Sequence, residues 1–440
     1  MLDKLKQLWR KKLVRNTGWM MMGHGTRVVL QALYFVLAAR WLGVQGLGVF
    51  SGALALAKIM LPFAGWGLDE VLARRVSRNQ GEYPEAFGNA LTVILISGSL
   101  FSLLAVAVSQ VLFTGHVPWL FMLLIATAEL VLYRLQLLVR RAFQAYERLN
   151  ITAIFKAAPS FTLMAAIVGF RLTSEHSTME DWGLWYFGAM AVPGVAGIVV
   201  MLALLGGPTF KSGQALGQLR EGFFFSLAES AKTAYTDADK ILLLRLMSKE
   251  VAGVYKAAYR VLSVLMTPVL ALLDAAYAPF FKTGEVGVRG SFRFAVRLLP
   301  VSMLYGGAVG AGLFFAAPLL PWVLGPGYQE TAQVVRWLAP IPLIQGASYM
   351  LMQTLTGGGS QRTRSTGQLV IAILNITGNV VLIPLYGWRA CAVVAVASEL
   401  ILAVMMFLLC RAAARREERA EGDEEAPPVV SEPPSSQPKA

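Results

Sequence analysis

The chain has 440 residues, 56% of them hydrophobic and only 15% charged, with a mean hydropathy of +0.57 and a formal net charge of +13. A soluble globular chain carries about 25% charged residues, so this composition excludes an ordinary water-soluble protein. Three histidines and two cysteines, Cys391 and Cys410 in apolar stretches, exclude a His-rich metal centre and a disulfide framework.

The chain opens with the arm MLDKLKQLWRKKLVRN, residues 1–16. At helical spacing Leu2, Leu5, Trp9 and Leu13 share one face and basic residues fill the rest, the pattern of an amphipathic segment on an anionic inner leaflet. The first apolar run contains His24 and Arg27 and is long enough to span, so it reads as a retained helix and not as a cleaved leader. Eleven more runs follow. The spans fall near 17–40, 47–70, 87–113, 117–139, 152–170, 183–205, 221–245, 251–278, 298–323, 331–355, 366–385 and 390–410. Each approaches the length needed to cross about 30 Å of hydrocarbon. The runs lack the strict alternation of β-barrel strands, so the expected class is an all-α integral membrane protein of twelve helices. Residues 206–220 form a cytoplasmic linker, and 411–440, rich in charge and then in Pro and Ser, read as a disordered cytoplasmic tail.

The basic residues sort by side. Six lie in the arm, and eighteen lie in loops after even-numbered spans and at the start of the tail. The opposite side holds only Arg40, Arg171, Lys249 and Arg389. Basic loops stay in the cytoplasm, so both termini are expected there.

The sequence also repeats itself. Shifted by 205 residues, Arg27 meets Lys232, Arg40 meets Arg245, Gly48-Val49-Phe50 meets Gly253-Val254-Tyr255, and Leu68-Asp69 meets Leu273-Asp274. Both copies start on the cytoplasmic side, which makes the repeat parallel: an N-lobe over 17–205 and a C-lobe over 221–410, helices 1–6 and 7–12. Duplicated halves of this kind flank a central substrate path in secondary transporters.

Charges inside spans cost about 2.5–3.5 kcal/mol at the helix centre, so those present must face a bundle interior or a wet cavity. In helix 7, Glu229, Lys232, Thr236 and Asp239 share a face; in helix 8, Lys256, Arg260, Ser263, Thr267 and Asp274; in helix 1, His24, Arg27 and Gln31. These three helices are expected to line one polar surface, with Glu229–Lys232 and Asp239–Lys256 as possible ion pairs. The cationic set is Arg27, Lys58, Lys232, Lys256 and Arg260. The coupling or charge-pairing set is His24, Glu129, Glu229, Asp237, Asp239, Asp274 and Glu399. No Gly-x-x-x-x-Gly-Lys-Ser/Thr phosphate loop, His-Glu-x-x-His or Cys-x-x-Cys motif occurs, so neither ATP hydrolysis nor a metal or other cofactor is expected, and the chain reads as a non-enzyme. A coupling H⁺ or Na⁺ is the only ion implied.

Four stretches carry a family resemblance: RWLGVQGLGVFSGALAL (Arg40–Leu56), DADKILLLRLMSKEVAGVYKAAYRV (Asp237–Val261), LGPGYQETAQVVRWLAP (Leu324–Pro340) and NITGNVVLIPLYGWRACAVVAVASE (Asn375–Glu399). Their order and spacing resemble the polysaccharide exporters, the lipid-linked oligosaccharide flippases of the multidrug/oligosaccharidyl-lipid/polysaccharide (MOP) superfamily. The resemblance implies a MATE-like fold of two six-helix lobes and alternating access. It also implies an undecaprenyl-pyrophosphate-linked oligosaccharide as cargo for cell-surface polysaccharide such as O-antigen. The partners expected are that cargo, membrane lipids and a glycosyltransferase or polymerase of the same pathway, with no nucleic acid. The basic excess within the spans suits a diphosphate. The rival readings are a cation-coupled drug or lipid-precursor exporter of the same superfamily, which would favour an acidic, aromatic cavity, and a membrane polysaccharide polymerase, which would need a long external loop.

Overall fold

The apolar runs fold as helices. The computed structural model describes residues 2–173, 178–210, 226, 230, 233 and 236–424, and no strand occurs among them. Eight helical segments there are long and apolar enough to cross a membrane: Gly25–Ala64, Gln80–Phe113, Trp119–Ala145, Leu149–Thr173, Met179–Leu205, Val288–Leu324, Gln361–Tyr386 and Trp388–Glu418. Their outer surfaces are apolar. Val111, Leu172 and Phe315 are each close to 80% exposed, an arrangement that suits lipid and not water. The protein is a multi-pass, all-α membrane protein.

The difference between eight segments and twelve expected spans has local causes. The first two spans form one helical element, α1 (Leu2–Met60), broken at Gly43, where φ is 69° and ψ 177°. Only glycine adopts that geometry without strain. Gln31 and Lys58, 27 residues apart, line the same cavity; on a straight helix they would stand about 40 Å apart. The chain therefore folds back at Gly43. The expected span 251–278 is interrupted at Met266, because Pro268 cannot donate to the preceding turn. The span 331–355 is interrupted between Leu338 and Ile341, beside Pro340 and Pro342. Most of 221–245 lies outside the described residues, of which 236–246 are helical.

By contact the chain forms two compact units. The first comprises Met1–Met266, Val309–Pro340 and Leu369–Ser398, the second Thr267–Ala308, Ile341–Gln368 and Glu399–Ala440. In the first, α1 is followed by α2 (Leu68–Arg78), α3 (Tyr83–Phe113), α4 (Trp119–Thr127), a π-helical turn at Ala128–Tyr133, α5 (Arg134–Ala145), α6 (Leu149–Thr173) and α7 (Met179–Leu205). A capping box starts α7: Thr178 Oγ1 accepts from the Asp181 amide and Asp181 Oδ2 accepts from the Thr178 amide. Ser248 caps α8 (Lys249–Leu265) by accepting from the Val251 amide. Packing of α1 against α6 and α8 forms the middle of the unit.

At the α1–α8 crossing backbone approaches backbone. A Cβ at Gly48 would overlap the carbonyl oxygen of Lys249, and one at Gly253 would overlap that of Val44. The two contacts are related by the 205-residue shift of the repeat, so the repeat is visible as a reciprocal contact in three dimensions.

In the second unit, α9 (Thr267–Thr283), the first part of α10 (Val288–Ala316) and α13 (Ile341–Gly357) pack around Phe280, Ala295 and Met350. In chain order α11 (Leu320–Leu324) and α12 (Thr331–Leu338) precede α13, and α14 (Gln361–Tyr386) and α15 (Trp388–Glu424) follow it. Of the tail expected over 411–440, residues 411–424 are helical and 425–440 lie outside the described residues. Helix α15 runs on to Glu424 where the sequence reading ends it at 410, since Arg411–Glu424 is dense in helix formers. Its Glu417 carboxylate accepts from the Val288 and Arg289 amides at 2.8 and 2.9 Å, capping the N-terminus of α10, and Glu418 pairs with Arg289 at 3.2 Å.

Candidate functional site: a cationic cavity

The first unit encloses a cavity of about 470 Å³. The two limbs of α1, the π turn, α6, α7 and α8 supply its walls. Three of the expected cations reach it: Lys58 from the second limb of α1, and Lys256 and Arg260 from α8, one helical turn apart. Among the described residues neither Lys58 nor Lys256 makes an ion pair. Arg260 Nη2 donates to Gln31 Oε1 at 3.5 Å, and its guanidinium lies 5.9 Å from the Phe35 ring centroid. Helices 1 and 8 thus share a polar surface, as their spacing predicts. Arg27 sits one turn before Gln31 on the same face, half-buried and beyond the cavity lining, with a buried Nε that has no partner among the described residues.

The acidic residues divide. Glu129 lines the cavity and is buried; Tyr186 of α7 donates its hydroxyl to Glu129 Oε1 at 2.5 Å. The π turn carrying Glu129 widens the helix at that point, and such turns concentrate at functional sites. Asp237 and Asp239 both pair with Lys240, at 3.2 and 3.0 Å, and Lys240 also donates to the Thr236 carbonyl. This corrects the expected Asp239–Lys256 pair. Lys240 lies one residue along the same helix and 4.4 Å from the Tyr259 ring centroid, so it satisfies both carboxylates and leaves Lys256 to the cavity. The face expected along helix 8 is also cut short, because the break at Met266 ends it before Thr267 and Asp274.

Glu399 belongs to the second unit and does not line this cavity; Asp274 also belongs to the second unit. Glu399 is buried there and accepts from Gln345 Nε2 at 2.9 Å. Lys232 and Glu229 lie outside the described residues, and so do the side chains of His24 and Asp274.

Sequence reasoning missed the aromatic wall. Tyr34, Phe50, Trp182 and Tyr186 interlock, with Phe50–Tyr186 centroids 5.2 Å apart and Phe50–Trp182 5.8 Å. It also missed the role of Arg134, which lines the cavity while its Nη2 donates to Asp69 Oδ1 at 2.5 Å. Both members of that pair are buried, and Gly65 leaves room for the guanidinium. The 65-residue separation of Asp69 and Arg134 gives no signal in sequence. Replacing Tyr186 with Phe should lower stability by about 1–3 kcal/mol, the usual cost of leaving a buried acceptor unmet; thermal unfolding of the detergent-purified variant reads it directly.

A profile of the polysaccharide biosynthesis protein family matches residues 13–284. The chain belongs to that family. Among curated relatives is an Escherichia coli (strain K12) protein named for O-antigen transport. It is 20% identical over 341 residues, which cover 76% of this chain and 80% of the relative. A Haloferax volcanii protein named as a flippase of low-salt glycan biosynthesis is 23% identical over 374 residues, 84% of this chain and 77% of that one. Among solved structures, an inward-facing multidrug resistance MATE transporter of the MOP superfamily superposes with a TM-score of 0.75 at 15% identity, covering 89% of this chain and 96% of the other. A MOP transporter from Pyrococcus furiosus, described as having a binding pocket of reverse polarity that suggests a different function, gives 0.62 at 16% identity over 93% and 96%. At these identities the structural likeness establishes the fold, which is that of the MOP superfamily.

Proposed function

We propose that this protein is a flippase that moves an undecaprenyl-pyrophosphate-linked oligosaccharide across the bacterial inner membrane, by alternating access between two lobes at 17–205 and 221–410. The observation that carries the reading is the membrane-embedded cavity with Lys58, Lys256 and Arg260 in its wall. Cations at that depth, without an ion pair among the described residues, are costly unless an anion meets them, and a diphosphate supplies two phosphoryl groups for charge-assisted bonds. The names of the relatives, for O-antigen transport and glycan flipping, agree in chemistry. A carrier for cationic drugs would need the opposite charge balance. Glu129, held by Tyr186 beside these cations, is the carboxylate suited to take a coupling proton. Both termini are cytoplasmic in this reading.

The test uses a strain lacking the protein and asks on which face of the inner membrane the lipid-linked oligosaccharide accumulates. Accumulation on the cytoplasmic face, relieved by the wild-type chain, is the expected result. Accumulation of single repeat units on the outer face would overturn the reading and point to a missing polymerase.

A further inference from the structure

Three arginines of the second unit face away from its core. Val288, Ser291, Ala295 and Ser302 form the buried side of α10, where Ser291 Oγ donates to the Phe280 carbonyl and Ser302 Oγ to that of Gly346. Arg289, Arg293 and Arg297 follow one another at i, i+4 and i+8 on the other side. Arg293 and Arg297 are exposed there, among the exposed apolar residues Val296, Val301 and Leu304. By sequence these arginines stand in a loop ahead of the span at 298–323. In the structure the helix begins at Val288, so they ride on the spanning helix itself. From Arg289 to Arg297 its axis rises about 12 Å, more than the headgroup layer of about 5–8 Å on each side of the hydrocarbon. A stripe that starts among headgroups therefore ends at the hydrocarbon edge.

Helix α15 repeats the pattern. Leu402, Met406, Cys410 and Ala414 are buried, while Leu400, Val404, Leu408, Arg411 and Arg415 are exposed on the opposite side. Arg411 and Arg415 thus continue the apolar face, on the part of α15 that extends past 410. Phe292 of α10 and Phe407 of α15 meet with ring centroids 6.1 Å apart, so the two basic faces flank one seam. Arg289 is paired with Glu418. Arg293, Arg297, Arg411 and Arg415 have no ion pair or hydrogen bond among the described residues.

Guanidinium groups at a hydrocarbon edge call for an anion that is itself anchored in the membrane. Their planar forks match the oxygens of a phosphate. We propose that the α10–α15 seam is a binding site for an anionic phospholipid of the inner leaflet. Arg293 and Arg297 hold its phosphate from one side and Arg411 and Arg415 from the other. Its acyl chains run along Val296, Val301 and Leu304 of α10 and Val404 and Leu408 of α15. The site is built from the second unit alone and uses none of the residues of the cationic cavity. The choice of leaflet rests on the topology given under Proposed function; the site needs no cargo.

The full-length chain, purified in detergent and freed of lipid, is titrated with dioleoyl phosphatidylglycerol or dioleoyl phosphatidylcholine, and bound lipid is counted by native mass spectrometry. Phosphatidylglycerol should be retained and phosphatidylcholine lost. Arg293→Gln with Arg297→Gln should weaken phosphatidylglycerol binding about thirtyfold, and Arg411→Gln with Arg415→Gln should do the same. Arg78→Gln with Arg362→Gln removes two exposed cations elsewhere and should leave binding unchanged. Thermal unfolding without lipid should match the wild type in all three double variants, because the substituted side chains are exposed. Equal retention of the two lipids overturns the site. So does unchanged binding in both seam variants, or equal weakening in the Arg78/Arg362 variant, which would reduce the effect to bulk charge. A lipid-free dimer that the seam substitutions dissociate would assign this face to a second copy of the chain and overturn the lipid site as well. The readout involves no transport, so a failed flippase reading and a failed lipid site are separately visible.

Discussion

Replacing Lys256 and Arg260 together by Ala should abolish transport while the protein inserts normally and melts no earlier than the wild type. The two residues stand one turn apart in the cavity wall, and Lys256 is within charge range of Lys58, Lys240 and Arg260 as well as Asp237. Like charges so close, at membrane depth, work against the folded state. Their removal relieves that repulsion. Cargo binding moves the other way: each charge-assisted hydrogen bond contributes about 1.5–3 kcal/mol. Losing two costs about 3–6 kcal/mol, more than a hundredfold in affinity. The measurement pairs export in a complemented deletion strain with thermal unfolding of the purified variants. Export retained at wild-type level would remove this cavity from the transport path. Export lost together with a large fall in melting temperature would mean that the cations hold the fold.

The Asp69–Arg134 pair should behave in the opposite way. Asp69→Ala leaves a buried guanidinium without its carboxylate, which costs about 3–5 kcal/mol. The double variant Asp69→Leu with Arg134→Met, which refills the space with apolar atoms, should recover most of that loss, because the desolvation of both ions is no longer required. Thermal unfolding of the three proteins in one detergent checks this. A double variant as unstable as the single one would show that the pair does more than offset its own burial.

Much of this was legible in sequence, and the reasons divide by length scale. Helical spans follow from apolar composition alone. The polar faces of helices 1 and 8 follow from spacing: Gln31 and Arg260, on faces that period 3.6 brings round, touch in space. The repeat paired Gly48 with Gly253, and the structure sets both at one crossing. What sequence could not supply was choice among near neighbours. Spacing suggested Lys256 for Asp239, and the adjacent Lys240 takes it, a matter of rotamer and local helix geometry that periodicity does not encode. Contacts between distant helices, Tyr186 with Glu129 and Arg134 with Asp69, carry no local pattern at all. The hydrophobic signal also overstated continuity. Met266, in the turn before Pro268, lies inside an apolar run, and hydropathy does not register a missing amide donor. The charged start of the tail, 411–424, was read as disordered together with the Pro- and Ser-rich residues after it, although Glu417 has two backbone amides to bind.

The Gly48–Gly253 crossing has the symmetry of a pairing between like surfaces. Residue 44 touches 253 and residue 48 touches 249; under the 205-residue shift the first contact becomes the second. Identical subunits that pair about a two-fold axis make self-complementary contacts of this isologous kind, and here one polypeptide makes them between its own two copies. The copies differ elsewhere, Arg27 standing where the second carries Lys232. At the crossing both carry glycine, because a side chain on either would overlap the facing carbonyl.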